Sequence, residues 1–293
     1  MSPAKQGGQG WSDVARRHES GPPPDAPRGA HSDKLRLGGM ALRNGLLVHG
    51  PGHWAAAVRR RDGRITVASG VKPRVRGPVD RVPGARGLVR LGEAVAVIPL
   101  VKRALPEARM PWQDAKVLGA VAAATVGGAA LRKRTAGRVG GEAALAAISV
   151  LPSLVALRGG DLAAYHGVEH KAIGAYEQDA GDAREAAKEH DRCGSHLMAP
   201  LLAANLAGTA VLRRVLERPS PAANAAVQLA SLGAAVEVFA WSERHAGTAA
   251  ARALRRPGHE LQRVLGTREP TDDQLEVGRA GLAEILRVEA PKG

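Results

Sequence analysis

Four apolar segments limit what this chain can fold into: Val117 to Leu131, Ala143 to Leu157, Leu197 to Leu212 and Ala222 to Trp241. All are rich in alanine, which buries little area per residue, so a soluble core built from them would be weakly driven. Aromatic residues make up 2% of the chain, far fewer than a large soluble core uses. A 15-residue segment such as Val117 to Leu131 rises only ~22 Å as a helix, against a hydrocarbon layer of ~30 Å. Flanking residues must therefore extend such segments, with Arg and Lys side chains snorkelling to the interface, if they are to span a membrane. Trp112 and Trp241 stand at segment ends, where an aromatic belt would place them. Hydropathy leaves both a membrane bundle and a soluble helical bundle open.

Between the second and third segments lies Tyr165-His166-Gly167-Val168-Glu169-His170-Lys171, followed by His190-Asp191-Arg192-Cys193-Gly194. On a helix, His166 and His170 share one face a turn apart, with Glu169 beside them. Two imidazoles suit Zn2+ or a similar divalent ion, and an unligated carboxylate next to the site can take a proton from water. Tyr165, Val168, Ala172 and Tyr176 recur at helical spacing and supply a packing stripe, whereas Gly167 costs about 1 kcal/mol relative to Ala in a helix interior. His190 and Cys193 form a second donor pair. Cys193 is the single cysteine, so no internal disulfide is expected, and neighbouring Arg192 would favour its thiolate. The alternatives are a satisfied polar helix face for the histidines and a small buried hydrophobe for the cysteine. Glu237, inside the last apolar segment, is expensive there unless it pairs, lines a cavity or binds metal, which makes it a candidate third ligand. Glu243, His245 and Glu177 are runners-up, although Glu177 lies roughly 10 Å along the helix from His170.

The remaining chain reads as follows. Residues 1 to 34, rich in Gly, Pro, Ser and charge, are expected to be a disordered tail. No apolar run follows the first basic residues, so a cleaved signal peptide is not expected. From Leu37 to about Val79, short apolar runs are broken by Gly and Pro, and Trp54 to Arg60 with Asp62-Gly63 and Ile65 to Val67 reads as a β-hairpin. His49 and His53 lie in this stretch, but the intervening Gly-Pro-Gly keeps them off a common helix face. Leu88 to Leu105 reads as an amphipathic helix kinked by Pro99, lying on a membrane surface or packed on the next domain. After Pro257 the chain turns polar, and Thr271 caps a helix running to about Val288. The net charge of +14 is scattered and lacks stacking aromatics, which argues against a specific nucleic-acid partner and for anionic lipid surfaces.

Several motifs together resemble the YqhQ-like bacterial family: Gly38-Gly39-Met40-Ala41, Gly45, Gly50-Pro51, Tyr165 to Lys171, Tyr176-Glu177, His190-x-Arg192-Cys193-Gly194-Ser195, Glu237, Pro257-Gly258, Leu261-Gln262-Arg263, Thr267 to Pro270 and Asp273 to Val277. That family carries a domain of unknown function, number 1385, and is catalogued as predicted metal-dependent enzymes. The resemblance, over about residues 36 to 285, implies a multi-pass membrane protein that depends on a metal. Departures are Met40 in place of a glutamine, and Arg43-Asn44-Gly45-Leu46 where the family reads Ile-Glu-Gly-Val, so any role of that glutamate is absent here. His259-Glu260 replaces an apolar-aromatic pair, and His196 stands where a small hydroxyl or apolar residue is expected.

The resulting expectation is a mainly α fold: a tail over 1–34, a small β-containing module over 35–87, a helical membrane domain over 88–256 carrying both motifs, and a polar C-terminal helix over 257–293. The expected function is that of a membrane-embedded, metal-dependent enzyme with a hydrolytic reaction. It would hold zinc or another divalent ion through His166, His170, Glu237, His190 and Cys193, with Glu169 as general base. The alternative is a non-catalytic membrane scaffold or assembly factor that uses the same polar residues for helix-to-helix hydrogen bonds. Basic flanks give conflicting votes on orientation. An even number of spans would place both termini and the 158–196 loop on one side, taken as the cytoplasm, with membrane lipids as the partners.

Overall fold

The computed structural model describes residues 34–75, 77–82, 84–135, 139–158 and 160–290. The tail expected over 1–34 lies outside them except for Lys34. Four strands, β1 (Gly38–Leu42), β2 (Gly45–His49), β3 (His53–Arg59) and β4 (Ile65–Val71), form one antiparallel sheet in sequential order. The β3–β4 hairpin turns through Asp62-Gly63, as expected, pairing Arg59 with Ile65.

Both faces of the sheet are covered over β2 and β3, while β4 stays partly exposed. Ala41, Leu46, Val48, Ala55 and Ala57 face one way, into a core shared with α4 (Asp161–Gln178) and α8 (Asp272–Glu289). Leu42, Leu47, Trp54, Ala56 and Val58 face the other, against Val97 and Val101 of α1 (Ala85–Ala104) and against Leu105, Ala108 and Met110 beyond it. Each fully buried Leu or Val contributes about 1.5–3 kcal/mol. The β module expected over 35–87 therefore does not stand apart: its two faces are completed by helices from both sides of the apolar segments. Leu88 to Leu105, left open between membrane surface and packed helix, is packed. Helix α4 lies over β1 and β2, whereas α8 lies over β2, β3 and β4.

The apolar segments form two helical hairpins, α2 (Ala115–Thr135) with α3 (Val139–Leu157), and α5 (Met198–Val215) with α6 (Pro221–Arg244). Among the described residues, three helical stretches are long and apolar enough to cross a membrane: Ala115–Thr135, Gly194–Val215 and Pro221–Arg244. Flanking residues extend the apolar segments of 15, 16 and 20 residues, since 21, 22 and 24 residues are helical. Several of their large apolar side chains, among them Leu118, Val121, Val126, Val211 and Leu229, are exposed. The fourth segment qualifies only together with α4, across an 84° bend, and α4 itself is packed on the sheet. Both hairpins leave from and return to the sheet-and-helix unit: Arg43 pairs with Asp114 ahead of α2, Ala156 and Leu157 end α3 against the core, Cys193 precedes α5, and Glu243 near the end of α6 pairs with Arg36. Helix α7 (Ala249–Leu261) and a π turn, Gln262–Gly266, lead into α8. Thr271 caps α8 as expected, accepting from the Gln274 backbone N–H in a capping box.

Candidate metal centre

Helix α4 runs without a break through the motif. Its stripe of Tyr165, Val168, Ala172 and Tyr176 is buried, and the glycine that seemed costly has a use: a Cβ at position 167 would lie 2.3 Å from the Arg268 carbonyl oxygen. That close approach brings the π turn against α4. The π turn then orients the first histidine, because His166 Nδ1 is 2.7 Å from the Gly266 carbonyl oxygen. His170 Nδ1 is 2.6 Å from the Lys188 carbonyl oxygen. A carbonyl only accepts, so each Nδ1 carries the proton and donates it, and each Nε2 presents its lone pair. The two rings lie 4.3 Å apart, and His166 Nε2 is 3.4 Å from Cys193 Sγ.

One ligand atom from each of His166, His170 and Cys193 lies within 4.8 Å of the other two. Donors around a tetrahedral zinc are about 3.5 Å apart, so a small contraction would complete the site, with a fourth position open. The donors line a cavity of about 240 Å³, shared with Gly38, Gly39, Glu169, His190 and Ser195. Burial drives His170 well below the usual imidazole range, with His166 adding to the effect, which keeps its ring neutral and able to ligate.

Glu169 is 7% exposed and its carboxyl lies on the same cavity wall. Burial raises its pKa, and the charges of His166 and His190 oppose that rise. The β1 backbone comes up against it, since a Cβ at Gly39 would meet Glu169 Oε1 at 2.6 Å.

Not every expected ligand joins this set. His190 lines the cavity, with its ring 5.6 Å from that of His170, but both its nitrogens are engaged: Nδ1 accepts from the Arg192 backbone N–H at 3.3 Å, and Nε2 meets Glu177 Oε2 at 3.1 Å. Arg192, expected to favour the Cys193 thiolate, directs its guanidinium to Glu177 instead. Burial pushes the Cys193 thiol up to about 11, against the opposing hydrogen bonds from Ser195. Glu237 is a correction. Its carboxylate accepts from Gly84 N–H at 2.8 Å and pairs with Arg86 at 3.0 Å, so it fixes the start of α1 rather than reaching the histidines. Glu243 pairs with Arg36, and His245 stacks on Trp241.

Some residues that hold the site were not singled out as ligands or catalysts. Gln262, fully buried, accepts from His190 N–H at 2.8 Å and donates to the Ser195 hydroxyl at 2.8 Å, clamping the loop that carries Cys193. Buried Lys171 donates to the Arg184 and Ala186 carbonyls and pairs with Glu269, tying down the start of that loop. Two departures from the family pattern are structural here. Asn44 donates to the Arg59 and Glu107 carbonyls and accepts from Arg109 N–H, locking the β1–β2 turn. His196 is buried, bonded to the Arg255 carbonyl and stacked on Phe239.

Residues 160–288, which hold every side chain of the three-donor set, match the model of a family described as a protein of unknown function (DUF1385). The chain is also 32% identical over 136 residues to the uncharacterized protein YqhQ of Bacillus subtilis (strain 168). That match covers 43% of this chain and 41% of the relative's length. No solved structure matches. From α4 to the end of α8, the chain is thus similar to the YqhQ-like family in the stretch that builds the candidate metal centre.

Proposed function

We propose that the protein is a membrane-anchored, metal-dependent hydrolase whose centre lies in the sheet-and-helix unit, at the base of the apolar hairpins. The observation that carries this reading is the pair of pinned imidazoles: two Nδ1–H groups donate to backbone carbonyls, aiming two free Nε2 atoms and one sulfur at a common point. A set of two imidazoles and a thiolate suits Zn2+ and leaves room for water in a fourth position. Zinc bound there would supply Lewis acidity, bringing a neighbouring water's pKa towards neutrality. Glu169, facing the same cavity, takes the proton from that water and passes it to the leaving group. His190 and Glu177 hold the Arg192-Cys193 turn, and Gln262 fixes its other side.

The hairpins serve as anchors. The unit with its centre sits on one side of the bilayer, taken as the cytoplasm. Elemental analysis of protein purified in detergent tests the reading, beside a His166→Ala, His170→Ala double variant. About one zinc per chain in the wild type and none in the variant is expected. A metal-free wild type that still complements a deletion strain would favour the scaffold alternative.

A further inference from the structure

The candidate metal centre lies beside the free edge of a β-sheet. Strand β1 pairs with β2 only, and no other described strand lies on its outer side. Its register with β2 closes at Leu42 and Gly45 around the two-residue turn Arg43-Asn44. In such a hairpin the closing pair is hydrogen-bonded and the pattern alternates, so Leu42, Met40 and Gly38 bond to β2, while Gly39 and Ala41 direct their N–H and C=O groups outwards. Helix α4 covers β1 and β2 but not β3 or β4. Its His166, Glu169 and His170 line one cavity with Gly38 and Gly39 of that outer strand. The lack of a side chain at Gly39 lets the Glu169 carboxylate lie against the helix-covered face of β1, over a residue whose N–H and C=O point out from the edge.

We infer that the substrate is an extended polypeptide segment that docks as an added strand on the outer edge of β1 and presents a peptide carbonyl to the centre. This rests on the hydrolase reading above. Strand addition supplies main-chain hydrogen bonds without regard to sequence, while the cavity of about 240 Å³ takes the scissile peptide unit and little more. In the reaction the oxygen of one water molecule bonds to the carbonyl carbon and the C–N bond breaks. Glu169 takes one proton from the water and returns it to the departing nitrogen, and the water's second proton follows to the amine, so the products are a carboxylate and an ammonium. The opposite wall, Cys193 to Ser195, is held by Gln262 and leads directly into the apolar stretch Gly194–Val215. A docked segment would thus lie at the end of a candidate membrane span.

The test uses the full chain in detergent, loaded with Zn2+, and three probes: acetohydroxamate, a hydroxamate-capped tripeptide, and the same tripeptide N-methylated along its backbone. Acetohydroxamate reports the metal alone. The tripeptide is expected to bind at least about tenfold more tightly, with the gain lost on N-methylation, because the methyl groups remove the N–H donors an added strand needs. A tripeptide that gains nothing over acetohydroxamate, or an N-methylated one that keeps the gain, overturns the edge-docking inference and leaves the metal centre standing. Protein that neither retains zinc nor binds acetohydroxamate sinks the hydrolase reading itself, and the inference with it.

Discussion

The carbonyl of Arg268 fills the space where a side chain at Gly167 would stand, 2.3 Å from an ideal Cβ. A residue that weakens the helix in isolation is thereby what lets the π turn reach His166 with the Gly266 carbonyl. Gly167→Ala should raise helix propensity by about 1 kcal/mol yet destabilise the protein by about 1–3 kcal/mol through overpacking. It should also lose metal, because His166 is no longer held. A variant with wild-type melting temperature and zinc content would show that this contact does not hold the centre.

Glu169→Gln keeps the shape of the side chain and removes its capacity to accept a proton. The variant is expected to fold, to carry the same zinc as wild type and to fail to rescue a strain lacking the protein, a loss on the order of 10²–10⁴-fold in turnover once an assay exists. Lost zinc would make the carboxylate a ligand, and full rescue would favour the scaffold.

Cys193 is expected to react slowly with thiol reagents in the zinc-loaded protein and faster once a chelator has removed the ion, since a metal-bound thiolate is shielded. Its labelling in the metal-free protein should itself be slow near neutral pH, because burial pushes the thiol up to about 11. Equal rates with and without chelator would remove it from the donor set.

His49 gives the folded unit a pH dependence of known sign. Burial, reinforced by the charge of Lys72 whose Nζ is 3.4 Å from its Nδ1, lowers its pKa to about 4 from 6.5. Its folded value lies below its unfolded one, so the unfolded chain takes up the proton first. The contribution, about 3 kcal/mol as an upper figure, is complete above pH 6.5 and is lost as pH falls from there through 4. Thermal midpoints of wild type should fall across that window, and those of His49→Gln should fall less. Parallel pH profiles would exclude His49 as the source.

Membrane anchoring makes a separate prediction. With Leu118, Val126 and Val211 exposed on apolar helices, the protein should stay in the membrane fraction through high salt and carbonate. Release by carbonate would make it a peripheral protein held by its charge.

The parts legible in the sequence were those with local signals: the one-turn spacing of His166 and His170, the Asp62-Gly63 turn, the Thr271 cap and the four apolar segments. Strands β1 and β2 gave a weak signal because the sheet is covered on both faces, so Leu46, Leu47 and Val48 run together instead of alternating with polar residues. Glu237 misled because a carboxylate in an apolar segment announces a need for a partner without naming it, and Arg86 is 151 positions away. Gln262 and the Gly266 carbonyl could not be found by spacing at all. They act on residues 72 and 100 positions earlier, and a backbone carbonyl carries no sequence signature.

The order in which the pieces of the centre leave the ribosome follows from the two hairpins. Strand β1 is made before either hairpin, the two histidines and the cysteine between them, and the π turn that pins His166 only after both. Until α5 and α6 have been made, the Gly266 carbonyl that sets the tautomer of His166 and the Gln262 that clamps the cysteine loop are not yet part of the chain. The three-donor set is therefore not held from all sides until both helices of the second hairpin have left the ribosome, so its geometry is among the last features of the chain to be completed.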